Sequence, residues 1–119
     1  MKITESQLRS IVTEVIACGD CYRWAWKYVL KHDDAIMVHG TIQQPFSSDK
    51  KKINHAWVEH NGKVMDWQTM EAMYGGIYQG KGYPSDVFYE TWSAIAEKEY
   101  DFDGILEGLK NNGHYGPWH

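Results

Sequence analysis

The segment His55-Ala56-Trp57-Val58-Glu59-His60-Asn61-Gly62-Lys63-Val64-Met65-Asp66-Trp67 reads as two strands joined by a two-residue turn. Asn-Gly between runs of strand-forming residues is a strong hairpin signal, because both central positions of the turn need positive φ and these two residues tolerate it. That turn sets His60 opposite Lys63, Glu59 opposite Val64, Val58 opposite Met65, Trp57 opposite Asp66 and His55 opposite Gln68. Side chains alternate faces along a strand, so His55, Trp57, Glu59, Val64, Asp66 and Gln68 share one side. His55 and Asp66 become diagonal neighbours with backbones roughly 7–8 Å apart, a gap that an imidazole and a carboxylate bridge. A base held by an orienting carboxylate is what nucleophilic catalysis requires.

The nucleophile to match is Cys21. Cys18-Gly19-Asp20 breaks the chain, and Asp20 is a good N-cap for a helix from Cys21 to about Lys31. A cysteine in the first helical turn meets unpaired backbone N–H groups and the positive end of the macrodipole, which favour a thiolate. A neighbouring imidazolium favours it further. Cys18 precedes the helix and is the weaker candidate. In this reading His55 takes the thiol proton and later returns it to a leaving group, while Asp66 fixes the ring. An oxyanion hole needs donors, and the backbone N–H of Cys21 is one. Gln43, Gln44 and Gln68 are side-chain candidates for the other. Trp57 and Trp67 stand near the pair, where they can shield it and line a substrate groove.

Length and composition bound the rest. The 119 residues suit one domain, 1–119, without a separate cofactor module. With 43% hydrophobic and 24% charged residues, the chain is globular rather than disordered. Six Trp and eight Tyr can fill a small core or line a groove. A formal charge of −4 argues against nucleic acid as partner. The one basic run, Lys50-Lys51-Lys52, reads as a solvated loop beside a strand. No apolar stretch is long enough to cross a membrane, and no signal-peptide segment follows Met1, so a cytoplasmic location is expected. Two cysteines in a reducing compartment are thiols rather than a disulfide. Cys18 and Cys21 form a Cys-x-x-Cys, but no second pair or spaced histidines complete a tetrahedral set, so neither metal nor cofactor is expected.

Outward from the hairpin, Thr4-Glu5-Ser6-Gln7 fits a capping box, and Leu8, Ile11, Val12 and Val15 follow helical spacing, giving a first helix over about 4–17. In the second helix Trp24 and Tyr28, with Ala25 and Val29, are expected to pack inward, and Arg23, Lys27 and Lys31 to face water. Residues 35–42 read as a strand, 43–49 as a loop, and the hairpin strands as 52–60 and 63–68. Thr69 to Tyr74 suggests a helical turn, followed by a glycine-rich loop to Tyr83. Pro84-Ser85-Asp86 starts a helix whose apolar face, Val87, Phe88, Trp92, Ile95 and Ala96, runs to about Lys98. Phe102, Ile105, Leu106 and Leu109 mark a last short helix before a turn-rich tail.

The Gly19-Asp20-Cys21-Tyr22 helix opening, the His55-Ala56-Trp57-Val58-Glu59 strand and the Val64-Met65-Asp66 strand together resemble the papain-like and transglutaminase-like cysteine enzymes. The resemblance covers residues 18–68, and His-Ala-Trp-Val-Glu is its most specific part. It implies an α+β fold with N-terminal helices packed on a small antiparallel sheet, with Cys21 as nucleophile, His55 as base and Asp66 as orienter. The chain is shorter than papain and lacks papain's glutamine shortly before the cysteine, since Gln7 belongs to the first helix. The amphipathic opening Met1–Ile16 is also similar to short leaders on phage-encoded proteins. The expectation is a cysteine hydrolase that attacks an amide of a peptide or protein substrate, as a peptidase or a glutamine amidase or deamidase. The alternative is a non-catalytic protein-binding domain that retains the fold.

Overall fold

Asn61 and Gly62 both have positive φ, 55° and 75°, and close the two-residue turn. The chain is described by a computed structural model that covers residues 20–43, 51–66 and 82–118. Strand β2 (Lys52–His60) and strand β3 (Lys63–Met65) pair antiparallel on either side of the turn, with His60 opposite Lys63, Glu59 opposite Val64 and Val58 opposite Met65. This is the register that the sequence requires. Strand β1 (Ile36–Gln43) pairs with the other edge of β2 and sets Gly40 opposite His55. The two-residue β4 (Tyr83–Pro84) joins β3, and β5 (Ile95–Tyr100) joins β1, giving an antiparallel sheet in the order β4-β3-β2-β1-β5.

Helices cover both faces, so the architecture is α+β. Helix α1 (Asp20–Lys31) and helix α3 (Phe102–Asn112) lie on one face, where Cys21, Ala25, Val29 and Ile105 pack against Met37, Ala56, Val58 and Met65. The Trp26 indole N–H donates to the Ile105 carbonyl at 2.8 Å and ties α1 to α3. The short helix α2 (Ser85–Thr91) covers the other face, where Phe88 and Trp92 pack on Val38, Ile42, Trp57, Val64 and Tyr83. The alternation of β2 thus divides between two cores, with Trp57 in one and Ala56 and Val58 in the other. Complete burial of a side chain such as Phe88 contributes about 1.5–3 kcal/mol.

Two expectations are corrected. The buried stripe of α1 is Cys21, Tyr22, Ala25, Trp26 and Val29, while Trp24 and Tyr28 are half-buried at its margin. Aromatics fall at every second position from Tyr22 to Tyr28, so they surround the helix and no single spacing marks the inner face. The helix expected up to Lys98 ends at Thr91, and Ile95–Tyr100 is strand. Ser93 takes a left-handed φ of 46°, the Trp92 carbonyl accepts the Gln43 N–H at 2.7 Å, and the chain turns to pair with β1. Ala-Glu-Lys-Glu favours helix locally, but the ladder offered by β1 overrides that preference. The last helix runs Phe102–Asn112, capped by the Asp101 carboxylate, which accepts the Gly104 N–H at 2.8 Å. The expected first helix over 4–17, the turn at 69–74 and the glycine-rich loop fall outside the described residues. No described helix is long and apolar enough to cross a membrane.

β5 approaches β1 closely because Gly40 has no side chain. A Cβ there would stand 2.0 Å from the Ile95 carbonyl oxygen and 2.8 Å from Trp57 Cη2. Gly40→Ala is therefore expected to destabilise the protein by about 3 kcal/mol, a steep case of overpacking. Amides of β5 should also lose hydrogen-exchange protection first. A denaturation midpoint equal to that of the wild type refutes this close approach.

Candidate active site

The hairpin register carries His55 and Asp66 together. The chain continues past Met65, the end of β3, into Asp66, which stands opposite Trp57 in this register and so brings its carboxylate to the histidine two residues back along β2. His55 Nε2 lies 2.6 Å from Asp66 Oδ2, and the two residues are 0% and 2% exposed. A contact this short between buried groups is a charge-assisted hydrogen bond, with Nε2–H donating to the carboxylate. Nδ1 is then the nitrogen left for another partner. It has none at strict hydrogen-bond geometry, but the Cys21 thiol stands near enough to the ring to act on its protonation. The sulfur contact is looser than the bond to Asp66.

Burial pushes the His55 imidazole down, because a charged ring loses its water. The Asp66 charge, the Asp66 hydrogen bond and the Cys21 thiol together push harder the other way. The ring is raised from 6.5 to about 10 and is an imidazolium at neutral pH. An imidazolium between a carboxylate and a thiol is an acid held in place, able to protonate a leaving group bonded to the carbon that the sulfur attacks.

Cys21 is the second residue of α1, in the first turn, where backbone N–H groups lack intrahelical partners. The side chain belongs by its apolar neighbours to the α1 face, beside Ala56, and it is a free thiol, 4% exposed.

Other expected site residues do not gather here. Trp57 is a core ring rather than a substrate-binding surface, being fully buried against Phe88 at a centroid distance of 5.2 Å. It stacks on His55 at 6.2 Å and 29° and so backs the imidazole from within the core. Gln43 is also displaced from the oxyanion role: it pairs with Lys52, three residues along β1 from Gly40, about 10 Å from the level of His55. Gln44, Trp67, Gln68 and Cys18 lie outside the described residues. His60 faces away from His55, as the alternation requires, and binds the Tyr28 hydroxyl at 3.0 Å and Asp34 at 2.9 Å. Among the described residues no group of three or more His, Cys, Asp or Glu side chains is placed to hold a metal ion.

One contributor escapes the sequence reading. The Trp57 indole N–H donates to the Tyr89 hydroxyl at 3.3 Å, and that hydroxyl donates to the Glu59 carboxylate. Burial and the bond to Glu59 push the Tyr89 phenol up, so it keeps the proton that it donates. Glu59 is thus half-buried and bonded, and the relay fixes the ring on which His55 rests. The shared face of His55, Trp57 and Glu59 was visible in the alternation, but nothing in the α2 sequence distinguishes Tyr89 from its neighbours.

No protein-family model matches the sequence, no curated protein matches it, and no solved structure matches the fold.

Because folding raises His55 from 6.5 to about 10, the stability that it contributes is complete below pH 6.5 and is lost as pH rises through about 10. Asp66→Asn removes the charge that holds the ring up. The gap in urea midpoint between wild type and Asp66→Asn should be widest near pH 6.5 and narrow steadily toward about pH 10. A gap that does not change with pH would show that the pair is not held as imidazolium and carboxylate.

Proposed function

We propose that this chain is a small cysteine hydrolase of amide bonds, a single domain of papain-like or transglutaminase-like type, with Cys21 as nucleophile, His55 as acid and base, and Asp66 as orienter. The observation that carries this reading is the short buried bond from His55 to Asp66 on an imidazole that also meets a thiol in the first turn of a helix. Cys21 Sγ, its proton already resting on the His55 imidazolium, attacks the amide carbonyl carbon. The oxyanion forms against the Cys21 N–H. The carbon–nitrogen bond breaks as His55 gives its proton to the departing amine, leaving a thioester. Water then attacks, His55 removes its proton, and the acid leaves as the thiol reforms.

No step needs a cofactor. The net charge of −4 suits an uncharged or basic peptide or protein substrate and disfavours nucleic acid. The free thiol suits the reducing cytoplasm. A thiol only 4% exposed favours one other reading, a non-catalytic protein-binding domain that keeps the arrangement closed.

Limited alkylation with iodoacetamide near neutral pH, read by mass spectrometry, separates the two. Cys21 should label much faster than Cys18, and His55→Ala should slow that labelling while circular dichroism stays native. Preferential labelling of Cys18, or an unchanged rate in His55→Ala, overturns the assignment. On a denatured-protein mixture, new termini identify a peptidase, glutamine converted to glutamate a deamidase, and crosslinks an acyl transferase. Cys21→Ala should lower that activity by more than about 10³-fold. Asp66→Asn should cost less, since an asparagine oxygen still accepts from the ring, and Asp66→Ala more than Asp66→Asn.

A further inference from the structure

A cavity of about 130 Å³ opens on the α1 face of the sheet, beside the first turn of α1. Its lining includes the immediate neighbours of the reacting residues: Tyr22 follows Cys21, Asn54 precedes His55, and Gly40 faces His55 across the β1–β2 ladder. Neither the thiol nor the imidazole is part of the lining; Tyr22 links the cavity to Cys21 in the first turn of α1, while the His55 ring lies on the Trp57 side of the sheet.

Its walls are flat rings. Tyr22 meets His39 edge-on at 4.9 Å, and the Trp118 ring lies 5.3 Å from His39. The floor at Gly40 carries no side chain. Burial, and then the charges of Cys21 and Glu97, push the Tyr22 phenol up, so that wall stays neutral. A volume close to that of cavities that accept benzene, faced by rings that already pack on His39, suits one more planar apolar group.

The rim favours neither sign of charge. Glu97 and Lys98 both line the cavity, although consecutive strand residues ordinarily point to opposite faces. The pairing of β5 with β1 explains this: His39 faces Lys98 but Gly40 faces Ala96, so Glu97 is the extra residue of a bulge. Bulges re-aim side chains in this way. The result is one carboxylate and one ammonium at one opening, which attract neither sign of ligand in preference to the other.

We infer that this cavity is the subsite for an uncharged aromatic side chain of a peptide substrate, walled by Tyr22 and Trp118, with Glu97 and Lys98 together favouring neither sign of charge. The role rests on the cysteine-hydrolase reading for its chemistry, and on the cavity alone for binding.

Two measurements separate these. In the first, Cys21→Ser protein is titrated with N-acetyl-phenylalaninamide or N-acetyl-glycinamide and followed by NMR. The aromatic amide should shift the Trp118 indole N–H and the His39 ring signals saturably, and the glycine amide should leave them in place. In the second, N-acetyl amino-acid 4-nitrophenyl esters acylate wild-type protein, with acyl-Cys21 read by mass spectrometry. The phenylalanine ester should react at least about ten-fold faster than the glycine, glutamate or lysine esters. Glu97→Lys should raise the glutamate ester about ten-fold, and Lys98→Glu should do the same for the lysine ester.

If Cys21 acylates at rates independent of the side chain, or the charge reversals leave the profile unchanged, the chemistry stands and the subsite is overturned. If Cys21 takes no ester while the aromatic amide still shifts Trp118 and His39, the subsite stands as a binding site and the hydrolase reading falls. If neither occurs, both fall.

Discussion

The pairing of β2 with β3 through Asn61 and Gly62 is the constraint on which the rest of this molecule hangs. A slip of one residue would send Trp57 and Val64 out of the α2-side core and pull Val58 and Met65 out of the α1-side core. Because both faces of the sheet are covered, neither alternative register leaves a solvated side to absorb the error. The same pairing holds a histidine and an aspartate together where water does not reach them. An unpaired charge in that position would be expensive, and the 2.6 Å contact offsets much of the cost of burying both groups. Folding and the candidate chemistry thus depend on one register.

The supports of the imidazole come from three directions. Asp66 holds one nitrogen, the Trp57 ring backs the plane, and the start of α1 brings the thiol from the opposite layer. Trp57 is itself held through Tyr89 and Glu59, so α2 reaches the site without touching it. Rigid backing of this kind limits the orientations open to the ring, which is what a group that moves protons over short distances needs.

Much of the site was legible because it depends on local rules. Asn-Gly gives a turn, a turn gives a register, and a register gives the meeting of His55 with Asp66. A helix read from about Cys21 puts that residue in a first turn, and the helix begins one residue earlier, at Asp20. What stayed hidden depends on choices between distant partners. The Ile95–Tyr100 segment is exposed along most of its length and shows no alternation, so its strand character comes wholly from β1. The inner face of α1 was obscured by aromatics spread around the helix. Trp57 was placed correctly by parity but given a role at a groove, since parity identifies a side of the sheet without saying that α2 seals it. The Gln43 assignment rested on residue type alone, with no distance behind it.

The bulge in β5 has a further consequence at the level of the population of molecules. Among the described residues β5 pairs only with β1, so its outer edge is a row of backbone groups that another chain can copy. Glu97, Lys98 and Glu99 crowd charge onto that edge, and the extra residue twists it away from the flat geometry that strand addition needs. The residues at the cavity mouth therefore also keep neighbouring copies apart. Altering them toward apolar side chains trades selectivity at one molecule for self-association among many.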